Sequence, residues 1–244
     1  MERLNNKINN SKFTKLLTSV VKDIYAEHLR IFIDDEKKPD AEFNEYGNDR
    51  ELLLKRIFIR FTNLSNHFEK LIHILKYIDE EFVTEFCENK ELDEIDYYQY
   101  HFENFLVRLV SLLDLCAKIG NVLYKLEIPN QKCNWYKFVN HSEIVGKKCC
   151  TDLWSFANYL DTLKSDRHII MHSGGFESEE ISSIQSKIFN SDLIPIEDVL
   201  QDWFDTQKTE EISRLVDFMN NKIENALNHV FNFLDSMEPD LKLI

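Results

Sequence analysis

Apolar side chains recur every three or four residues over unusually long stretches of this chain. The stretches are 11–33, 50–87, 93–126, 151–172, 176–189 and 209–237. This spacing places the apolar side chains on one face of an α-helix, and that face must pack against another element. No segment shows the strict alternation of apolar and polar residues that marks a half-buried strand. The sequence therefore predicts an all-α protein.

Few residues interrupt these stretches. The 244 residues include only five glycines and four prolines, which is too few for a chain built of short strands and tight turns. A polar segment at 34–49 and Pro129 separate the first long helices, and Pro195 breaks the chain before the last one. Residues 134–145 are ambiguous and fit a short helix best.

The sequence contains no internal repeat and no linker long enough to separate two domains. We therefore expect a single all-α domain over residues 1–244, most simply an antiparallel helical bundle with additional helices. Its N-terminal long helices fall within 10–90, the middle helices within 93–175 and the C-terminal helices within 176–244.

Composition excludes several classes of protein. Hydrophobic residues make up 43% of the chain and aromatic residues 12%, which is typical of a globular rather than a disordered chain. No stretch of about 18 uncharged apolar residues is present, and the N-terminus lacks the apolar segment of a signal peptide. We expect a cytoplasmic protein that does not enter a membrane.

The sequence also lacks the spacing of familiar metal and cofactor sites. Five cysteines occur without a C-x-x-C or H-E-x-x-H pattern, so we expect free thiols and no metal site. The phosphate loops G-x-G-x-x-G and G-K-[ST] are absent, so a bound nucleotide would be held by side chains and helix ends. No cofactor is predicted.

The net charge of −14 argues against broad, sequence-independent binding of nucleic acid. The charge is uneven, however. Residues 131–172 carry six Lys or Arg against four Asp or Glu, so the rest of the chain carries −16. The least acidic part of the chain is therefore the part that would tolerate a phosphate ligand.

The segment SDRHIIMHSGG (165–175) lies in this part of the chain. Histidine titrates near neutral pH, so it can move the protons of the 2′-hydroxyl and the 5′-oxygen when RNA is cut. Arginine can stabilise the negative charge of the transition state through its fork of N–H donors. Arg167 and His172 are thus sufficient parts for RNA cleavage without a metal. The helix dipole would also favour a protonated His172 at a helix C-terminus.

Residues 167–172 (RHIIMH) match R-x(4–6)-H, and the sequence here resembles the HEPN superfamily. The residue after the arginine is typically Asn, Asp or His in that family, and here it is His168. A second match, Arg60 to His67, lacks this feature because Phe61 follows the arginine. The segment YYQYHFENFLVR (97–108) looks like the polar-studded inner helix that faces the motif. The resemblance implies a metal-independent endoribonuclease of single-stranded or loop RNA, often a toxin or antiviral effector, with two motifs meeting across a homodimer.

The resemblance also implies roles for individual residues. Arg167 would stabilise the scissile phosphate, His172 would act as general acid or base, and His168 would support both by hydrogen bonding. The supporting candidates are Glu103, Asn104 and Arg108 on the inner helix, and Lys147 and Lys148 as phosphate attractors. Each has a structural alternative. Arg167 could pair with Asp161 or Asp166, His172 could cap its helix, and the others could belong to solvated surfaces.

Two features of the sequence leave open how RNA would be held. Residues five apart on a straight helix point about 140° apart, so Arg167 and His172 reach one phosphate only across two protomers or through a bend, such as one near the glycines. Aromatic residues (Tyr97, Tyr98, Tyr100 and Trp135) could stack on bases, although aromatic residues at helical spacing are more often core.

A second class of function also fits the sequence. A non-catalytic HEPN-like module would bind a nucleotide or a protein partner, and the acidic remainder of the chain favours it because RNA would be repelled. An antitoxin or other regulatory protein is a further expected partner for a toxin. A structural or adaptor bundle with a coincidental motif is the third alternative.

Overall fold

The computed structural model describes residues 10–34, 45–173, 178–193 and 198–244, except for the side chains at 32–34, 171–173, 188–193 and 198–201. Every regular element in these ranges is an α-helix, and the predicted all-α class is confirmed. The helices are α1 (Lys12–Asp34), α2 (Asp49–Tyr77), α3 (Glu80–Lys90), α4 (Glu94–Leu123), α5 (Trp135–Val139), α6 (Lys148–Tyr159), α7 (Asp161–Ser173), α8 (Glu179–Leu193) and α9 (Asp198–Leu241).

The predicted helix over 50–87 is two helices. It breaks at Ile78 and Asp79, between α2 and α3. Asp79 has an extended backbone, and its carboxylate accepts a hydrogen bond from the Phe82 backbone N–H at 3.3 Å, which caps α3. Ile78 is fully buried, so the apolar pattern continues through the break and hides it.

The predicted helix over 151–172 is also divided, because α6 ends at Tyr159 and α7 begins at Asp161. Leu160, which lies between them, is fully buried and keeps the apolar spacing without interruption. The opposite error occurs in the last helix. The helix predicted over 209–237 is part of the longer α9, which runs without a break from Asp198 through Trp203 to Leu241. Pro195, the predicted cause of a break, lies outside the described residues.

The described residues pack as two compact units. The first unit consists of the described parts of Met1–Glu69, Ser111–Tyr159 and Ala226–Ile244, and the second of those of Lys70–Val110 and Leu160–Asn225. Three long helices, α2, α4 and α9, contribute residues to both units. The single domain over 1–244 stays a prediction.

A close approach of two helices marks the core of the first unit. Gly120 of α4 lies against the Phe138 ring of α5, and Phe138 packs edge to face on Phe233 at 6.0 Å. The short helix α5 in turn packs against α6. The α5 segment is fixed at its start, because the Trp135 backbone N–H donates to the Asp114 carboxylate at 3.0 Å. Buried aromatic side chains therefore hold the short helix on the long ones.

The second unit is built on the first half of α4, whose buried face includes Tyr98, Phe102 and Phe105. Phe102 lies 6.1 Å from Phe218 of α9. Lys208 of α9 forms an ion pair with Glu94 at 2.7 Å, with both side chains about one-fifth exposed. These contacts join α4 to α9 within the second unit. Among the described residues, no helix combines the length and the apolar composition needed to cross a bilayer.

Candidate functional site

Helix α7 carries the arginine–histidine segment in the second unit. Asp161 lies in its first turn, where a negative charge is favourable, and it pairs with Lys164 at 2.9 Å. Leu163 is buried and anchors the helix to the unit. The helix ends at Ser173, one residue after His172, which agrees with the predicted helix end.

Arg167 is half-buried on α7. Its Nε atom is buried and has no hydrogen-bond partner among the described residues. Neither acid named as a structural partner pairs with it, because Asp161 binds Lys164 and Asp166 forms no ion pair with a described cation. A buried donor without an acceptor costs about 1–3 kcal/mol. The guanidinium is therefore held where an acceptor from a ligand would be stabilising.

Of the two histidines in the motif, only His168 has a described side chain. His168 is exposed on the surface of α7. The side chain of His172 lies outside the described residues, as do Gly174 and Gly175. The catalytic role of His172 and its capping alternative therefore both stay predictions.

The backbone of α7 bears on how the motif could meet one phosphate. Positions 167 and 172 belong to a single α-helix that continues to Ser173. Positions five residues apart are separated by about 140° around a helix axis. No bend separates positions 167 and 172, because the helix continues past both of them. Whether the two residues meet one phosphate across two protomers stays a prediction.

A cavity of about 250 Å³ in the second unit is bordered by Leu163 and Asp166 of α7. Its lining combines apolar side chains with acidic ones: Phe102, Leu106, Leu163, Phe218, Asp166, Ser178, Glu179 and Glu180. Burial raises the pKa of Asp166. Arg167 follows Asp166 directly and lies one turn after Leu163 on α7, but it is not one of the residues that line the cavity.

The predicted inner helix is α4, and it borders the same cavity as α7 through Phe102 and Leu106. The polar candidates lie elsewhere on α4. Asn104 lies two residues after Phe102, which is roughly the opposite side of a helix. The structure therefore brings α4 and α7 to one cavity, but through the apolar face of α4.

Each polar candidate on α4 already has a neighbour on its own helix. Arg108 Nε donates to Asn104 Oδ1 at 2.8 Å, and Gln99 Nε2 donates to Glu103 Oε1 at 2.9 Å. Such pairs four residues apart are typical of a helix surface. These pairs agree with the alternative in which Glu103, Asn104 and Arg108 belong to a solvated helix surface.

Lys147 and Lys148 belong to the first unit and are both paired with acids. Lys147 Nζ lies 3.2 Å from Asp240 and 4.7 Å from the centre of the Tyr124 ring. Lys148 Nζ lies 2.7 Å from Asp152. Partly exposed ion pairs contribute only about 0–1 kcal/mol, so these pairs hold the lysines weakly. The charge of each lysine is nevertheless balanced by an aspartate.

Sequence reasoning missed His101 of α4, and it considered Tyr98 as a ring that could stack on bases, whereas Tyr98 is fully buried in the core. The hydroxyl of Tyr98, whose side chain is fully buried, and the Nδ1 atom of His101 have no hydrogen-bond partner among the described residues. The His101 ring lies 4.4 Å from the Tyr97 ring and 5.6 Å from the Tyr77 ring, and burial lowers its pKa. A histidine inside the run YYQYHF was the available signal.

Buried polar atoms without a partner are uncommon in folded proteins. Within the described ranges, the three side chains that have one are Tyr98, His101 and Arg167, and all belong to the second unit. The unmet hydrogen-bonding capacity of the described chain is thus concentrated in the unit that carries the motif.

The described residues contain no group of three His, Cys, Asp or Glu side chains arranged to hold a metal ion. The five cysteines are free and buried.

Comparison with known protein families identifies the region that contains the motif. A family model described as Cthe2314-like HEPN matches residues 54–237. The matched region includes α4 and α7, and with them the 167–172 segment. No curated protein and no solved structure matches the chain significantly.

Proposed function

The chain belongs to the Cthe2314-like HEPN family, and we propose that it is a metal-independent endoribonuclease that cuts single-stranded or loop RNA as a homodimer. The observation that carries the proposal is the buried Nε of Arg167, a cationic donor without an acceptor among the described residues. A phosphate that gains negative charge during the reaction suits such a donor.

The reaction needs two proton movements and one stabilised charge. The 2′-oxygen attacks phosphorus and the 5′-oxygen leaves, which gives a 2′,3′-cyclic phosphate and a 5′-hydroxyl. One group takes the proton of the 2′-hydroxyl and another gives a proton to the 5′-oxygen. His172 supplies the acid or base, because an imidazole can take up and release a proton. Arg167 stabilises the charge on the attacked phosphate, and His168 supports the pair by hydrogen bonding.

The geometry of α7 supports a homodimer. One straight helix turns positions 167 and 172 in different directions. A two-fold axis next to α7 would bring Arg167 of one protomer beside His172 of the other, and would do so twice. Each cleavage site would then need both protomers.

Substitution of Arg167 tests the proposal. Arg167→Ala is expected to lower kcat on a fluorescent single-stranded RNA by about 100-fold or more, because transition-state stabilisation is lost. Arg167→Lys should recover only part of it, since an ammonium group lacks the planar fork. The control is Arg214→Ala, which removes an exposed arginine that pairs with Glu210 and Glu211 in the same unit. Full cleavage by Arg167→Ala would contradict the assignment.

A second function is favoured by a different observation. The acids Asp166, Glu179 and Glu180 line the cavity that α7 borders, and such a lining attracts a cationic side chain rather than a phosphate. In this alternative the chain is a non-catalytic HEPN-like module, and of the two ligands considered for it, a nucleotide or a protein partner, the acidic lining fits a cationic side chain of a protein partner. An antitoxin or other regulatory protein is the partner class that a toxin would require. If Glu180→Gln tightened RNA binding without any cleavage in either protein, this alternative would be favoured.

A further inference from the structure

Three aromatic side chains of the first unit form a cluster that reaches the surface. They are Trp135 and Tyr136 of α5 and Trp154 of α6, and we call them the ring surface. The two tryptophan rings are 5.1 Å apart at 83°, and Tyr136 lies 5.7 Å from Trp135 and 6.4 Å from Trp154. Because all three pairs meet edge to face, none of these rings is stacked flat on another.

Two of the three rings are open to solvent. Tyr136 is 57% exposed and Trp154 39% exposed, whereas Trp135 is partly covered. Large aromatic side chains gain free energy when such surface is covered. The cluster is therefore a place where a flat apolar ligand can be held.

Hydrogen bonds and buried neighbours hold the backbone of α5 that carries two of the three rings. The Asn134 side chain accepts a hydrogen bond from the Lys137 backbone N–H at 2.9 Å, and the Trp135 backbone N–H donates to Asp114 at 3.0 Å. Cys133 and Phe138, on either side of the two α5 rings, are buried. A platform held in this way loses little conformational entropy when a ligand binds.

More cations than acids lie near the start of α5. Burial and the Asp114 carboxylate raise the pKa of the Cys133 thiol, while Lys118, Arg60 and Lys137 oppose that increase, so three cations and one acid act on a residue two positions before Trp135. None of the three forms an ion pair with a carboxylate of the described residues. On a chain of net charge −14, unpaired cations beside exposed rings complement an anionic ligand with flat faces.

We propose that the ring surface binds single-stranded RNA, with unpaired bases stacked on Tyr136 and Trp154 and phosphates attracted by Arg60, Lys118 and Lys137. Stacking rings combined with cations hold single strands with little sequence preference, because every base has a flat face. Paired bases in a duplex are already stacked and cannot use the rings. This proposal rests on the proposed function, because it gives the RNA substrate a second contact area. Arg60 would attract phosphate there, which is a different role from the one that the motif match at 60–67 would imply.

The test measures binding rather than cleavage. The probe is a fluorescein-labelled single-stranded oligouridine of 12 nucleotides, with a duplex of the same length for comparison. Fluorescence anisotropy is recorded with full-length His172→Ala protein in EDTA, so that the RNA stays intact. Tyr136→Ala and Trp154→Ala in that background should each bind the single strand about tenfold more weakly, because one stacking contact is lost.

Matched variants separate stacking from general damage. Tyr136→Phe keeps the ring and should bind like the parent. Trp203→Ala removes a tryptophan that is 50% exposed in the second unit and should have no effect. Lys137→Gln should reduce the slope of log affinity against log salt by about 0.7. If Trp154→Ala loses its helical circular dichroism, the more exposed Tyr136→Ala decides.

Three results would overturn the inference: no binding of the single strand by the parent, unchanged affinity in a folded Tyr136→Ala, or equal affinity for duplex and single strand. The proposed function fails separately, because it requires cleavage that depends on Arg167. Binding by the ring surface without any cleavage would keep this inference and remove the ribonuclease.

Discussion

Arg167 differs from Arg108 and Arg214, which belong to the same unit, in what surrounds its guanidinium. Arg108 donates to Asn104, and Arg214 pairs with neighbouring glutamates at the surface. The Nε of Arg167 is buried without an acceptor in the described chain. A phosphate that reached this atom would recover part of the free energy that the unmet donor costs.

Sequence reasoning reached the identity of this residue but not its environment. The spacing of Arg167, His168 and position 172 is visible along the chain. The burial of Nε depends on which helices pack against α7, and a local pattern does not record that. The same limit applies to Lys147, whose partner Asp240 is far away in sequence and was not predictable from it.

The burial of His101 predicts how the free energy of unfolding changes with pH. Burial lowers its pKa in the folded protein, below the unfolded value of about 6.5. The unfolded chain then binds more protons, so the free energy of unfolding falls as pH drops from about 6.5 through the folded pKa. His101→Phe should flatten this loss in urea titrations at pH 7.5 and 5.5. His73→Phe, at an exposed position, is the control, and an unchanged slope in His101→Phe would contradict the account.

At the scale of the elements, periodicity predicted helices well and their ends less well. α1 and α4 begin and end close to their predicted limits. The breaks before α3 and α7 were missed, because Ile78 and Leu160 are buried and fit the apolar spacing on both sides. A helix break that keeps the apolar pattern leaves only a capping residue such as Asp79 as a signal.

Gly120 tests the packing of α5 on α4. A Cβ added there would lie 2.5 Å from Cε2 of Phe138 and closer still to Cζ. Gly120→Ala should therefore lower the free energy of unfolding by about 1–3 kcal/mol through overpacking, despite the better helix propensity of alanine. Urea unfolding measures the change. The penalty should shrink in a Phe138→Leu background, and an equal penalty in both backgrounds would show that the two residues do not clash.

At the scale of the whole molecule, charge limits how RNA can be bound. The chain carries −14, and the part outside residues 131–172 carries −16. General attraction to RNA is therefore weak, and binding must depend on local groups such as Arg167 and the cations near Cys133. The family match over 54–237 agrees with the resemblance seen in the sequence, whereas the shared site and the RNA substrate are proposals.

The most direct test of the central claim is RNA cleavage in EDTA by the natural protein, by Arg167→Ala, by His172→Ala and by an equimolar mixture of the two variants. The natural protein should leave 2′,3′-cyclic phosphate ends, and each variant alone should be nearly inactive. The mixture should recover about a quarter of the activity, because half of randomly formed two-fold dimers are mixed and each has one intact site. No cleavage by the natural protein would contradict the ribonuclease, and a mixture that stays inactive after subunit exchange would contradict the shared site.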